Sequence, residues 1–191
     1  TTQRLVNDVL ELGRSREGVM ITSDFSVSAL VTSVIMEIFD LYDPSVTEIV
    51  RKVKTYEELE MAIKESGARL SFDPKVWKTM LHLDEAKVRQ ILRNLVTNAI
   101  KHRLSFVEIS GKIKEKRLIL KVKDDGRGIP QADHQKIFET YFTTGSSIES
   151  AIMSHGLGLA GVMVLLKDMG GSLTLNSDNG KGAEFIVTIP I

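Results

Sequence analysis

The sequence predicts an α/β fold, a two-layer sandwich in which a mixed sheet is covered by helices on one face. Three observations carry this. Apolar and polar residues alternate in "FVEISGKI", "RLILKVK" and "AEFIVTIP", the period of half-buried strands. A long helical pattern runs from Asp84 to about His102, with Val88, Ile91, Leu92, Leu95 and Ala99 on one side. Strands and helices are interleaved along the chain, an order that two packed layers accommodate. With 191 residues, 42% of them hydrophobic, the chain can bury one sizeable core plus an appendage.

The elements follow in order. The opening "TTQRLVNDVLELGRSREG" places Leu5, Val9 and Leu12 at helical spacing and stops at Gly18. It reads as the end of an amphipathic helix, over residues 1–20, with the main domain at 21–191. A second helix is expected from about Ser26 to Leu41, capped by Asp24 or Ser26 and broken by Asp43-Pro44. From 45 to 66 the pattern is helical again, with Thr55-x-x-Glu58 as a capping box and Gly67 as the stop. The strands "RLSF" and "TMLHL" precede the long helix. After it, "FVEISGKI" and "RLILKVK" form a hairpin about the turn "KEK". A short helix near 131–138, a Gly/Ser-rich stretch at 143–158, a helix to about Met169 and the strands "SLTLNS" and "AEFIVTIP" complete the chain.

Composition excludes several function classes. The 25 basic residues balance the 25 acidic ones, which argues against nucleic-acid or membrane-surface binding, so an anionic ligand must be held by local chemistry. No cysteine is present, which excludes disulfides and thiolate metal sites and fits a cytoplasmic setting. The four histidines, His82, His102, His134 and His155, have no pair at metal-ligand spacing. The longest uncharged stretch, Ser150 to Leu166, is shorter than the roughly 20 apolar residues of a membrane span.

Three features go beyond scaffold. Asn94, Asn98 and Lys101 fall within about 60° of one another on the long helix, away from its apolar side. Asparagine is a poor helix former, so the stripe is either a solvated face or a site where amide oxygen meets a hard cation and Lys101 meets an anion. "VKDDGRGIP" ends an alternating strand in two aspartates and two glycines, more than a plain turn requires. "HGLGLAGVMVLL" opens a helix with glycines at 156, 158 and 161, which serve either close helix packing or the approach of a phosphate chain to free N–H groups.

In order, Asn94-x-x-x-Asn98, Asp124-x-Gly126-x-Gly128, Phe138 with Phe142, and Gly156-Leu157-Gly158-Leu159 resemble the N box, first glycine box, F box and second glycine box of sensor histidine kinases, within the wider GHKL ATP-binding superfamily. The resemblance covers about residues 69 to 191, and the opening helix is similar to the second helix of the family's dimerisation hairpin. It implies a Bergerat-type ATP-binding fold preceded by a truncated dimerisation helix. It implies Mg²⁺ on Asn94, phosphate contacts from Asn98 and Lys101, and a carboxylate of Asp124 that accepts from the adenine amine. Such an acceptor selects adenine over guanine, which presents a carbonyl there. It further implies nucleotide contacts from His102, Gly126, Gly128, Ile129, Phe142, Thr143, Thr144, His155, Gly156, Leu157, Gly158 and Leu159, with a lid between Phe142 and Gly156. Asp125 is expected to be a solvated turn residue.

The implied activity is transfer of the γ-phosphoryl group of Mg-ATP to a histidine on a dimerisation hairpin, and then to a response regulator receiver domain, in a homodimeric full-length protein. Departures bear on this. Ser154 and Thr140 stand where those boxes usually have glycine and proline, and the lid "TTGSSIESAIMSH" has no lysine or arginine. No histidine is followed by an acidic residue, so the chain holds the donor half only. The uncharged lid favours a nucleotide-sensing module as alternative. An ATPase clamp of the same superfamily is disfavoured because Gln90, four residues before the first asparagine, cannot act as a base toward water.

Overall fold

The computed structural model describes residues 20–139 and 158–191. Strand β1 (Ser23–Ser26) runs straight into helix α1 (Val27–Tyr42), and Ser26 decides where one becomes the other. Its hydroxyl accepts from the Ala29 N–H at 3.1 Å, so of the two expected caps it is Ser26 that acts. Val27, Leu30, Val31, Val34, Ile35 and Ile38 recur every three or four residues and are at most 2% exposed. Pro44 then opens α2 (Pro44–Val50) at a position where no N–H is needed. The pattern over 45–66 resolves into two helices, because Thr55 and Glu58 close a capping box that starts α3 (Tyr56–Lys64) afresh. Gly67, at φ +72°, ends the segment in the left-handed conformation that favours glycine.

Strand β2 (Ala68–Phe72) is followed by a one-turn helix α4 (Pro74–Trp77), strand β3 (Met80–Leu83) and the long helix α5 (Glu85–His102). This whole segment is the crossover that lets β2 pair in parallel with β4 (Val107–Lys114). Strand β4 pairs antiparallel with β5 (Arg117–Asp124) through a turn in which Glu115 and Lys116 both have positive φ. Beyond α6 (Gln131–Glu139) and α7 (Gly158–Asp168), strands β6 (Ser172–Ser177) and β7 (Ala183–Pro190) complete a sheet of order β2-β4-β5-β7-β6. Alternate residues of β5 and β7 point into the core, including Leu118, Leu120, Val122, Phe185, Val187 and Ile189.

Helices α3, α5 and α7 lie against β2, β4–β5 and β6, while α1 packs on α5. The two-layer expectation is met. One feature was not predicted: β1 pairs antiparallel with β3 outside the main sheet, Ser23 opposite Leu83 and Ser26 opposite Met80. Four residues are too few to show a period, and the partner lies far along the chain. Trp77 of α4 meets Tyr56 and Phe72 edge-on with ring centroids 5.1 and 5.2 Å apart, and this packs the helical segment at 44–64 against the sheet edge.

Candidate functional site

Helix α5 supplies the first wall. Asp84 caps it by accepting from the Lys87 N–H, and Lys101 and His102 occupy its last turn, where positive charge suits the exposed carbonyls. The polar stripe read from the sequence is longer than Asn94, Asn98 and Lys101. Lys87 and Gln90 continue it inward, and all five residues fall within about 80° around the helix. Burial falls steadily along it. Lys87 is 1% and Gln90 5% exposed, Asn94 and Asn98 are half-buried, and Lys101 and His102 are exposed. The stripe is therefore a polar seam that opens toward the C-terminal end of α5.

Helix α7 is the second wall, and it is pinned to α5 from inside. Lys87 Nζ donates to Asp168 Oδ2 at 2.9 Å, joining the first turn of α5 to the last residue of α7. The contact leaves Gly158 and Leu159, at the opposite end of α7, as the helix start. Free N–H groups there favour anions.

The third wall is the turn after β5. Asp124 is 4% exposed, and its Oδ1 accepts from the Gly126 N–H at 2.8 Å. Burial pushes the Asp124 carboxyl above its ordinary value, opposed by the amides of Gly126 and Ala183 and by the charge of His102. A Cβ on Gly126 would lie 2.2 Å from the His102 carbonyl oxygen, so this turn touches the end of α5 and only glycine fits. Gly128, at φ +71°, faces the Asp178 carbonyl, where a Cβ would come within 1.9 Å. Ile129, half-buried beside it, donates its N–H to Ser177 Oγ at 2.8 Å, and Ser177 donates to the Gly182 carbonyl at 2.6 Å. His134 Nε2 pairs with the Ile129 carbonyl at 3.0 Å.

One expectation is corrected here. Asp125 is not a solvated turn residue: its carboxylate accepts from the backbone N–H groups of Leu104, Ser105 and Phe106, each at 3.0 Å. Partial burial raises its pKa, but the amides of Ser105, Phe106 and Leu104 and the Ser105 side chain outweigh that and hold it at about 2. Asp125 thus straps the glycine turn to the loop leaving α5. Because its folded value lies below the ordinary 3.8, its stabilisation is full above that value and is lost as pH falls through about 2. Wild-type protein should unfold less readily than Asp125→Asn near neutral pH, and the difference, followed by urea titration, should vanish between about pH 4 and pH 2. A difference unchanged at pH 2 would deny Asp125 this role.

Of the predicted site residues, Asn94, Asn98, Lys101, His102, Asp124, Gly126, Gly128, Ile129, Gly158 and Leu159 lie on these three walls. Phe138 sits half-buried on α6. Phe142, Thr143, Thr144, His155, Gly156 and Leu157 lie outside the described residues. Sequence reasoning missed Lys87, Ser177 and His134, and weighed Gln90 only as a position where a base toward water is absent. Lys87 and Gln90 carried a signal, since they share the period of the asparagine stripe. Ser177 reaches Ile129 across 48 residues of chain, and His134 folds back on the Ile129 carbonyl five residues before it, neither of which leaves a periodic signal. Among the described residues no three His, Cys, Asp or Glu side chains cluster. The half-buried Asn94 would offer a hard cation an amide oxygen, with water and ligand oxygen as its other partners, a donor set that fits Mg²⁺.

The family described as histidine kinase-, DNA gyrase B- and HSP90-like ATPase matches residues 83–191. The chain is 30% identical over 133 residues to sensor histidine kinase RcsC of Salmonella typhimurium, covering 67% of this chain and 14% of that one. It is 34% identical over 130 residues to the aerobic respiration control sensor protein ArcB of Escherichia coli, covering 66% of this chain and 17% of that one. It thus spans less than a fifth of these relatives. Among solved structures, full-length ShkA in complex with AMPPNP superposes with a TM-score of 0.66 at 25% identity, covering 98% of this chain and 35% of that one.

Proposed function

We propose a function from the premise that this chain belongs to the histidine kinase-, DNA gyrase B- and HSP90-like ATPase family: it is an ATP-binding catalytic domain that donates the γ-phosphoryl group of Mg-ATP to a histidine on a dimerisation hairpin. The observation that carries the reading is the polar seam of α5, which opens beside the buried carboxylate of Asp124 at the contact between Gly126 and the His102 carbonyl. Adenine sits on Asp124, Gly126, Gly128 and Ile129. Asn98, Lys101 and His102 run along the phosphates, with Gly158 and Leu159 at the helix start that faces them. Phe142, Thr143, Thr144, His155, Gly156 and Leu157 complete the site as a lid.

Asn94 holds Mg²⁺ through its amide oxygen. The ion, when bound, neutralises phosphate charge during transfer. Lys101 adds a fixed positive charge at the open end of the seam, and buried Gln90 offers no base to activate water. The reaction is therefore one of positioning and charge neutralisation, with a neutral imidazole as acceptor. ArcB and RcsC are named as sensor proteins, and by analogy the full protein is a cytoplasmic or membrane-anchored homodimer that passes the phosphoryl group on to a receiver domain of a response regulator. Residues 1–20 are the end of the dimerisation helix. No helix among the described residues is long and apolar enough to cross a membrane.

Labelled ATP tests the reading. This chain alone should bind nucleotide and stay unlabelled, and an added hairpin fragment bearing the acceptor histidine should take up the label. Acid-labile label on this chain alone would make His155 a phosphorylation site. Binding without transfer to any hairpin would favour the nucleotide-sensing module that the uncharged lid allows.

A further inference from the structure

Two side chains on the polar seam of α5 have buried atoms without a protein partner. Gln90 is 5% exposed, and both its Oε1 and its Nε2 lack a hydrogen bond among the described residues. One turn further along, Asn94 Nδ2 is likewise buried and unpaired. Buried polar atoms are almost always satisfied, so each of these needs a reason. An apolar side chain at position 90 would fill the same buried space without the desolvation penalty. The unpaired atoms are also complementary. Gln90 presents an acceptor and Asn94 a donor, at the i, i+4 spacing where side chains on one helix face meet.

We infer that Gln90 is a positioning residue for Asn94. When nucleotide is bound, Gln90 Oε1 accepts from Asn94 Nδ2, and this turns the Asn94 carbonyl oxygen outward along the seam, toward the metal and phosphates. The inference rests on the ATP-binding reading above and assigns the control of that amide to a residue away from the ligand. An amide side chain is roughly symmetric in shape, so without a partner for its nitrogen it presents oxygen and nitrogen to a cation almost equally. A fixed acceptor behind it removes the wrong orientation. The burial gradient explains why position 90 serves. It is deep enough to be immobile, beside the Lys87–Asp168 pin, and one turn short of the open end.

The test compares wild type with Gln90→Met, which keeps the length of the side chain and removes both polar atoms. The variant should melt at a higher temperature, bind nucleotide without Mg²⁺ as wild type does, and bind Mg-ATP about 5-fold more weakly. A purely structural role would move stability and affinity the other way or together. Lower stability with the magnesium effect intact, or an equal loss with and without Mg²⁺, overturns the inference. A second measurement needs no variant: the side-chain amide resonances of Gln90 and Asn94 should shift together on adding Mg-ATP. A Gln90 amide that stays unmoved while Asn94 responds also overturns it. Failure of wild type to bind nucleotide at all would instead remove the reading on which the inference rests.

Discussion

Replacing Asp124 with asparagine is expected to weaken ATP binding by about 10-fold or more, because a hydrogen bond to a charged acceptor contributes roughly 1.5–3 kcal/mol. The structure sharpens the reason. Asp124 is 4% exposed, and one oxygen is already committed to the Gly126 N–H at 2.8 Å. An asparagine that keeps its own oxygen on that N–H would, in the proposed site, turn its NH₂ to the adenine amine, donor against donor. Calorimetry at neutral pH would measure the loss, and unchanged affinity would remove Asp124 from the adenine site. A pH series adds a second check. Burial raises this carboxyl above its ordinary value. The charged acceptor forms only above that raised value, so binding should fall as pH drops through it. Asp124→Asn should lack that acid limb.

Lys87→Met should give the largest loss of stability. Lys87 is 1% exposed and reaches Asp168, itself only 15% exposed, at 2.9 Å. Removing Lys87 takes this buried cation from the Asp168 carboxylate, a change that costs about 3 kcal/mol and for a domain of this size lowers the melting temperature by roughly 6–12 °C. Lys87→Met with Asp168→Leu should recover at least half of that, since two apolar side chains replace two charges in the same space. A double variant no more stable than the single one would show that the pair is not what holds α7 to α5. Nucleotide affinity should fall with the single variant, because α7 brings Gly158 and Leu159 to the site.

Much of this was legible in the residues themselves. The α1 stripe, the Thr55–Glu58 capping box, the stop at Gly67, the β4–β5 hairpin and the α5 face are set by spacing and turn chemistry within a few residues, and the structure shows each of them. The ordered boxes from Asn94 to Leu159 resemble those of the family to which the chain belongs. Asn94, Asn98 and Lys101 announced themselves as polar residues at helical spacing on a helix with a well-formed apolar side.

What only the tertiary structure decided depends on contacts between segments far apart in the chain. In sequence, nothing marks Lys87 and Gln90 as buried, and only tertiary packing, with Asp168 of α7 on Lys87, buries them and turns a surface stripe into a seam. Asp125 looks like the second half of a turn. It becomes a strap because the loop leaving α5 brings three N–H groups to its carboxylate. The β1–β3 pair has the same origin, as four residues at each strand gain regular structure only from each other. Periodicity reports which side of an element is apolar, but it carries no information about which distant element covers a polar side, and that covering sets the burial, and with it the raised pKa of Asp124 and the unpaired amide of Gln90.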